Sequence, residues 1–92
     1  MAIVAVIYDY NDDIETQDRV RPAHRAFLGS QPNLLLSGPT DDGRALLVFE
    51  GDVAGVEAQL EEDPFKAAGV ISARTVATWN VVLGAKKDLV LG

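Results

Sequence analysis

The stretch Leu34-Leu35-Leu36-Ser37-Gly38-Pro39-Thr40-Asp41-Asp42-Gly43-Arg44-Ala45-Leu46-Leu47-Val48-Phe49-Glu50 decides the fold. Residues 34–37 are apolar enough for a strand. Residues 44–50 alternate Ala45, Leu47 and Phe49 with Leu46 and Val48, the period of two that sends side chains to opposite faces of a strand. Between them lie Gly38-Pro39 and Asp42-Gly43. An Asp-Gly pair between two apolar runs is a hairpin signal. The centre of the chain is therefore an antiparallel pair, and its flanks set the architecture.

Upstream, residues 2–8 are rich in β-branched side chains and read as a first strand. Residues 9–18 read as an acidic loop. Pro22 suits the first position of a helix, where its absent N–H costs nothing, and it pushes Arg21 away from helical geometry. A first helix is expected over 22–28, ended by Gly29. Downstream, Asp52 is a plausible cap for a second helix carrying Val53, Val56 and Leu60 at helical spacing. Asp63-Pro64 must stop that helix. Residues 64–68 then form a single turn closed by Gly69, and 70–82 read as a long last strand. The order is β-α-β-β-α-β. That is the α+β, ferredoxin-like (split βαβ) arrangement, an antiparallel sheet with two helices on one face. One domain spans 1–83, and 84–92 form a tail in which 88–91 offer a further short strand.

The strands also speak about partners. With both helices on one face, the other face of a monomer should be polar. Here Ile3, Ala5 and Ile7 are apolar, as are Val4 and Val6 on the opposite side, and Leu46 and Val48 repeat the pattern. A large exposed apolar patch usually marks association. A homodimer with two sheets packed face to face, a dimeric barrel-like assembly, is expected. The alternative is that the tail folds back over that face.

The composition excludes several classes. The chain has 92 residues, a net charge of −6 and no cysteine. An acidic domain this small suits neither nucleic acid nor an anionic membrane, which need clustered Lys and Arg. Disulfides, thiol nucleophiles and iron–sulfur ligation all fall away without cysteine, and a reducing cytoplasm fits. The apolar start lacks a basic leader and a small-residue cleavage site, so it reads as a strand and not a signal peptide. No segment is long enough to span a bilayer. The aspartate clusters match no calcium loop, and one histidine makes a poor transition-metal set. Neither a metal nor a cofactor is expected.

His24 is the single histidine, and histidine is the side chain that titrates near neutral pH. In the first turn of a helix, burial and the positive end of the dipole would both favour the neutral imidazole that a general base needs. A half-buried histidine bonded to backbone is the plainer reading. Asp63 caps the 64–68 turn, or orients an imidazole if one is near; spacing alone does not bring 24 and 63 together. Ser37 beside Gly38-Pro39 is either part of a turn or a hydrogen-bonding group in a pocket wall. Arg21 either holds an anionic ligand or pairs with the acidic loop. Tyr8, Tyr10 and Trp79 suit a pocket, a core or an interface equally well.

In order, the apolar first strand with Tyr8, then Arg21-Pro22-Ala23-His24, Gly38-Pro39, Asp63-Pro64-Phe65, Gly69-Val70 and Trp79-Asn80 resemble the YCII-related domain family, the small YciI-like proteins. The resemblance covers about residues 2–83. It implies a ferredoxin-like fold, a dimer with a cleft, and a site built on a His–Asp pair that maps onto His24 and Asp63. Arg21, Ser37 and Tyr8 become candidates for contacting a small-molecule substrate. The break at 29–32 suggests a first helix about a turn shorter than in relatives, and Val81 stands where a proline often follows the Trp-Asn pair. Two classes of function remain: a cofactor-independent acid–base enzyme of the elimination or isomerisation type on a small polar metabolite, or a non-catalytic ligand-binding or interaction domain of the same fold.

Overall fold

A computed structural model of the chain describes residues 2–88. The elements are β1 (Ile3–Tyr10), α1 (Ile14–Gly29), β2 (Leu34–Pro39), β3 (Ala45–Glu50), α2 (Val53–Leu60), α3 (Pro64–Ala67) and β4 (Ile71–Thr78). The strands form one antiparallel sheet in the order β2-β3-β1-β4. The central hairpin turns at Gly43, whose φ of +84° is a left-handed conformation that suits glycine. Thr40 N–H donates to the Arg44 carbonyl at 2.8 Å and closes it.

The register aligns Val4 with Phe49, Val6 with Leu47 and Tyr8 with Ala45. These side chains share one face and pack with Leu28 of α1 and with Val56 and Leu60 of α2. Both helices therefore lie on the same side of the sheet. Burying a side chain such as Leu47, Phe49 or Leu60 contributes about 1.5–3 kcal/mol, so this layer carries much of the fold's stability.

Helix α1 departs from expectation. It has 16 residues and starts at Ile14, with Pro22 in its interior. Asp13 is the N-cap, and its carboxylate accepts from Thr16 N–H at 3.1 Å. Gln17, His24 and Leu28 form its buried stripe. Residues 14–18, expected as loop, are thus the start of the helix, which is longer than the expected 22–28. Pro22 removes the bond that the Asp18 carbonyl would accept. Both residues are exposed, so water can take the place of the lost donor. The buried Gln17 amide donates to the Asn11 carbonyl at 2.7 Å, and Asn11 in turn donates to the Gly69 carbonyl at 3.1 Å. This chain of bonds fixes the start of α1 against the α3–β4 connection.

β4 ends at Thr78 and not near residue 82. It is an edge strand whose single neighbour, β1, begins at Ile3, and Trp79 N–H makes the final bond, to the Ile3 carbonyl at 2.8 Å. Beyond it the chain turns along the helix-free face. Val81 and Leu83 line, with Leu35, Leu36, Val48 and Trp79, an apolar groove of about 700 Å³. Val48 is 4% exposed although it faces away from the helices, whereas Leu36, Leu46 and Trp79 remain exposed at 68%, 40% and 49%. The segment past β4 thus covers part of the open face and leaves the rest bare. Most of the short strand expected over 88–91 lies outside the described residues. Among the described residues no helix is long and apolar enough to cross a membrane.

Candidate functional site

Asp63 is fully buried. Its place follows from local sequence: Pro64 halts α2 and opens α3, and Asp63 is the extended N-cap residue, with its Oδ1 accepting from Phe65 N–H at 2.9 Å. The same carboxylate faces His24. Nδ1 of the imidazole lies 2.8 Å from Oδ1 and 3.0 Å from Oδ2. Tyr8 adds a third partner, its hydroxyl donating to Oδ2 at 3.0 Å. The cap and the orienting group, alternatives in the sequence, are one side chain.

A carboxylate only accepts, so Nδ1 carries the hydrogen and Nε2 the lone pair. Phe65 stacks on the imidazole at 3.9 Å between centroids and 8° between planes. The ring is thus held along its edge by Asp63 and across its face by Phe65. Nε2 has no hydrogen-bond partner among the described residues, and His24 lines a cleft. Burial pushes the Tyr8 phenol far above its ordinary range, and the Asp63 charge adds to the push. Burial raises Tyr10 as well. Tyr8 therefore remains a hydrogen-bond donor throughout the neutral range.

His24 opens onto a cleft of about 350 Å³. Arg21, His24, Arg25 and Leu28 stand at helical spacing and form one wall. Ser37, Gly38 and Pro39 of the β2 edge form the facing wall, with Ala45, Leu47, Phe65 and Tyr10 completing the lining. Ser37 pairs with Leu47 in the sheet, which sets it on the helix side.

Several expectations change here. His24 sits deep within α1 and not in its first turn, so the field at the helix start, which fades within one turn, no longer bears on it. His24 is 7% exposed. Arg21 lines the cleft while also pairing with Asp18. Tyr8, expected to touch substrate, is wholly buried and lies behind Asp63; Tyr10 lines the cleft in its place. Trp79 belongs to the groove on the opposite face of the sheet. Arg25 and Phe65 were not singled out as site residues. Arg25 follows His24 directly and lies four positions from Arg21, a signal that a correctly placed helix would have exposed. Among the described residues no three His, Cys, Asp or Glu side chains gather as metal ligands.

The family model for the YCII-related domain matches residues 1–80. No curated protein matches the chain. Among solved structures, the fold is similar to 5-chloro-2-hydroxyhydroquinone dehydrochlorinase from Burkholderia phenoliruptrix, in complex with 2,5-dihydroxybenzoquinone. The identity is 25%, with a TM-score of 0.72 over 87% of this chain and 94% of that one. An antibiotic biosynthesis monooxygenase matches at 18% identity and a TM-score of 0.59, over 90% of this chain and 100% of that one. A NIPSNAP domain protein from Burkholderia xenovorans matches at 15% identity and a TM-score of 0.53, over 92% and 96%. The last two likenesses concern the fold alone.

Proposed function

This chain belongs to the YCII-related domain family, and from that footing we propose that it is a small acid–base enzyme acting on a small polar metabolite through His24 and Asp63. One observation carries the reading: His24 Nδ1 is bound to a fully buried carboxylate while Nε2 stays free beside a cleft.

The chemistry follows from that arrangement. Nε2 takes a proton from a carbon of the substrate, and the electron pair left behind forms a new double bond. In an elimination the leaving group departs from the adjacent carbon with its bonding pair. In an isomerisation the imidazolium returns the proton at a second carbon. Asp63 faces the imidazolium in a dry setting and stabilises its charge. Tyr8 and the Phe65 N–H keep the carboxylate from turning, so the imidazole keeps one tautomer. Ser37 and Arg21 stand where they can bind polar groups of the substrate. A positioned general base contributes about 10²–10⁴-fold to rate. The step as written needs no cofactor. The dehydrochlorinase at 25% identity is by name an eliminating enzyme, which favours elimination over isomerisation. The monooxygenase likeness carries no such weight, because one fold hosts many chemistries.

A second copy is proposed to seat on the helix-free face, where Leu36 and Leu46 stay exposed beside the apolar groove. Two sheets would then pack face to face in a barrel-like homodimer.

The test uses hydroxylated and halogenated aromatic compounds and small keto acids in deuterated water. Loss of a substrate C–H signal reads proton abstraction directly, and release of halide beside it marks elimination. His24→Gln is expected to slow the active compound by about 10²-fold or more. Full activity in that variant rules the mechanism out.

A further inference from the structure

We propose that Arg25, seconded by Arg21, is the specificity-determining group of the cleft, and that its ligand is a small molecule bearing a delocalised oxyanion, either a carboxylate or an ionised enol or phenol. The inference rests on the reading of His24 and Asp63 as the reacting pair and names the substrate class for that pair.

The charge around the cleft carries it. The chain has a net charge of −6, with 14 acidic side chains against 8 basic ones. Among the described residues no acidic side chain lines the cleft, and its permanently charged members are Arg21 and Arg25. A cleft assembled without regard to charge in so acidic a protein would meet carboxylates more often than guanidinium groups. Arg21 and Arg25 are i and i+4 on α1, about 5–6 Å apart at Cβ, with His24 between them on the same side.

The two arginines are not equivalent. Arg21 is held by Asp18 one turn earlier. Arg25 makes no ion pair and no side-chain hydrogen bond among the described residues. A guanidinium presents a planar fork of donors that matches a carboxylate or an enolate in two parallel bonds. Arg25 is therefore the first anchor. Exposed ion pairs such as Arg21–Asp18 are worth about 0–1 kcal/mol, so a bound anion can draw Arg21 away from Asp18 at little cost. An anion held on this stripe brings its neighbouring carbons toward His24 Nε2. Charge on the substrate's oxyanion is then neutralised as the proton leaves the adjacent carbon, which is where electrostatic help has most effect.

Small aromatic probes test this without a known substrate. The single histidine gives one imidazole Cε1–H resonance, an unambiguous reporter of the cleft. Benzoate, 4-nitrophenolate and neutral benzamide would be titrated into the protein, into Arg25→Gln and into Arg44→Gln. Arg44 pairs with Asp42 in the hairpin and does not line the cleft, so its variant controls for net charge. The expected result is that at least one anion shifts the His24 resonance and binds more tightly than benzamide. That anion should lose at least tenfold in Arg25→Gln, about 1.4 kcal/mol, and little in Arg44→Gln. Which anion binds distinguishes a carboxylate from an ionised phenol or enol. Equal affinity for benzamide, no binding of either anion, or equal losses in the two variants would overturn the proposal. Because the readout is binding and not turnover, the two ideas fail separately. An active His24→Gln enzyme that needs Arg25 for anions sinks only the role of His24.

Discussion

The Tyr8 hydroxyl donates to Asp63 Oδ2 at 3.0 Å, across 55 positions of chain, and both residues are fully buried. Tyr8 therefore acts on the site from behind, by holding the carboxylate that holds His24. Tyr8→Phe keeps the ring and its packing and removes only this donor. A hydrogen bond to a charged group is worth about 1.5–3 kcal/mol, so the variant should lose about 2 kcal/mol, read as a lower urea midpoint with an unchanged slope. An unchanged midpoint would mean that the bond contributes nothing.

Both tyrosines of the chain are raised above their ordinary value of 10.0, first by burial. The sign follows directly. In the unfolded chain the phenols ionise near that value, while in the fold they resist. Their contribution to stability is complete below pH 10 and is lost as pH rises beyond it. Tyrosinate absorbance should therefore appear together with loss of the circular dichroism signal, in one transition above that pH. A tyrosinate step near the ordinary value of 10.0 in still-folded protein would show that neither burial nor Asp63 perturbs that ring.

The legible parts of the fold were those written in neighbouring residues. Asp42-Gly43 marks its hairpin and Asp63-Pro64 its cap because turn and cap chemistry act over two or three positions. The start of helix α1 is hard to read for the same reason. The Asp13 cap lies inside an acidic run that resembles a solvated loop, and Pro22 is a stronger local start signal than Asp13. Starting the helix at Pro22 left Arg21 outside it and hid the Arg21–Arg25 spacing. The burial of Tyr8 is not legible because β1 is apolar on both sides, so alternation does not tell the helix face from the open one. The His24–Asp63 contact spans 39 positions, and no local pattern encodes it. It entered through the family resemblance, and its geometry became visible only in three dimensions.

The apolar face gives a prediction about assembly. Leu46 is 40% exposed at the centre of the helix-free face, opposite Ile7 in the sheet. A stable dimer buries about 1,200–2,000 Å² in total, and a charge placed at its middle is costly to desolvate. The wild-type protein should sediment at twice the chain mass, and Leu46→Glu should sediment as a folded monomer. A wild-type monomer at micromolar concentration would sink the dimer.

Asp63 offers the sharpest separation of structure from chemistry, because its carboxylate serves Phe65 N–H, Tyr8 and His24 together. Asp63→Ala leaves all of these without a partner. Removing one member of a buried ionic pair costs about 3–5 kcal/mol, against a total of about 5–15 kcal/mol for a domain of this kind. That variant should be barely folded, and its inactivity would say little. Asp63→Asn is different. Its amide oxygen, in the place of Oδ1, can still cap α3 and accept from Nδ1, while its NH2 takes the place of Oδ2. The charge that stabilises the imidazolium is then lost while the fold survives. The expected outcome is a melting temperature lowered by only a few degrees and a rate on the active compound reduced by about 10²-fold or more. A folded Asp63→Asn protein with normal rate would show that the carboxylate is a cap and nothing more.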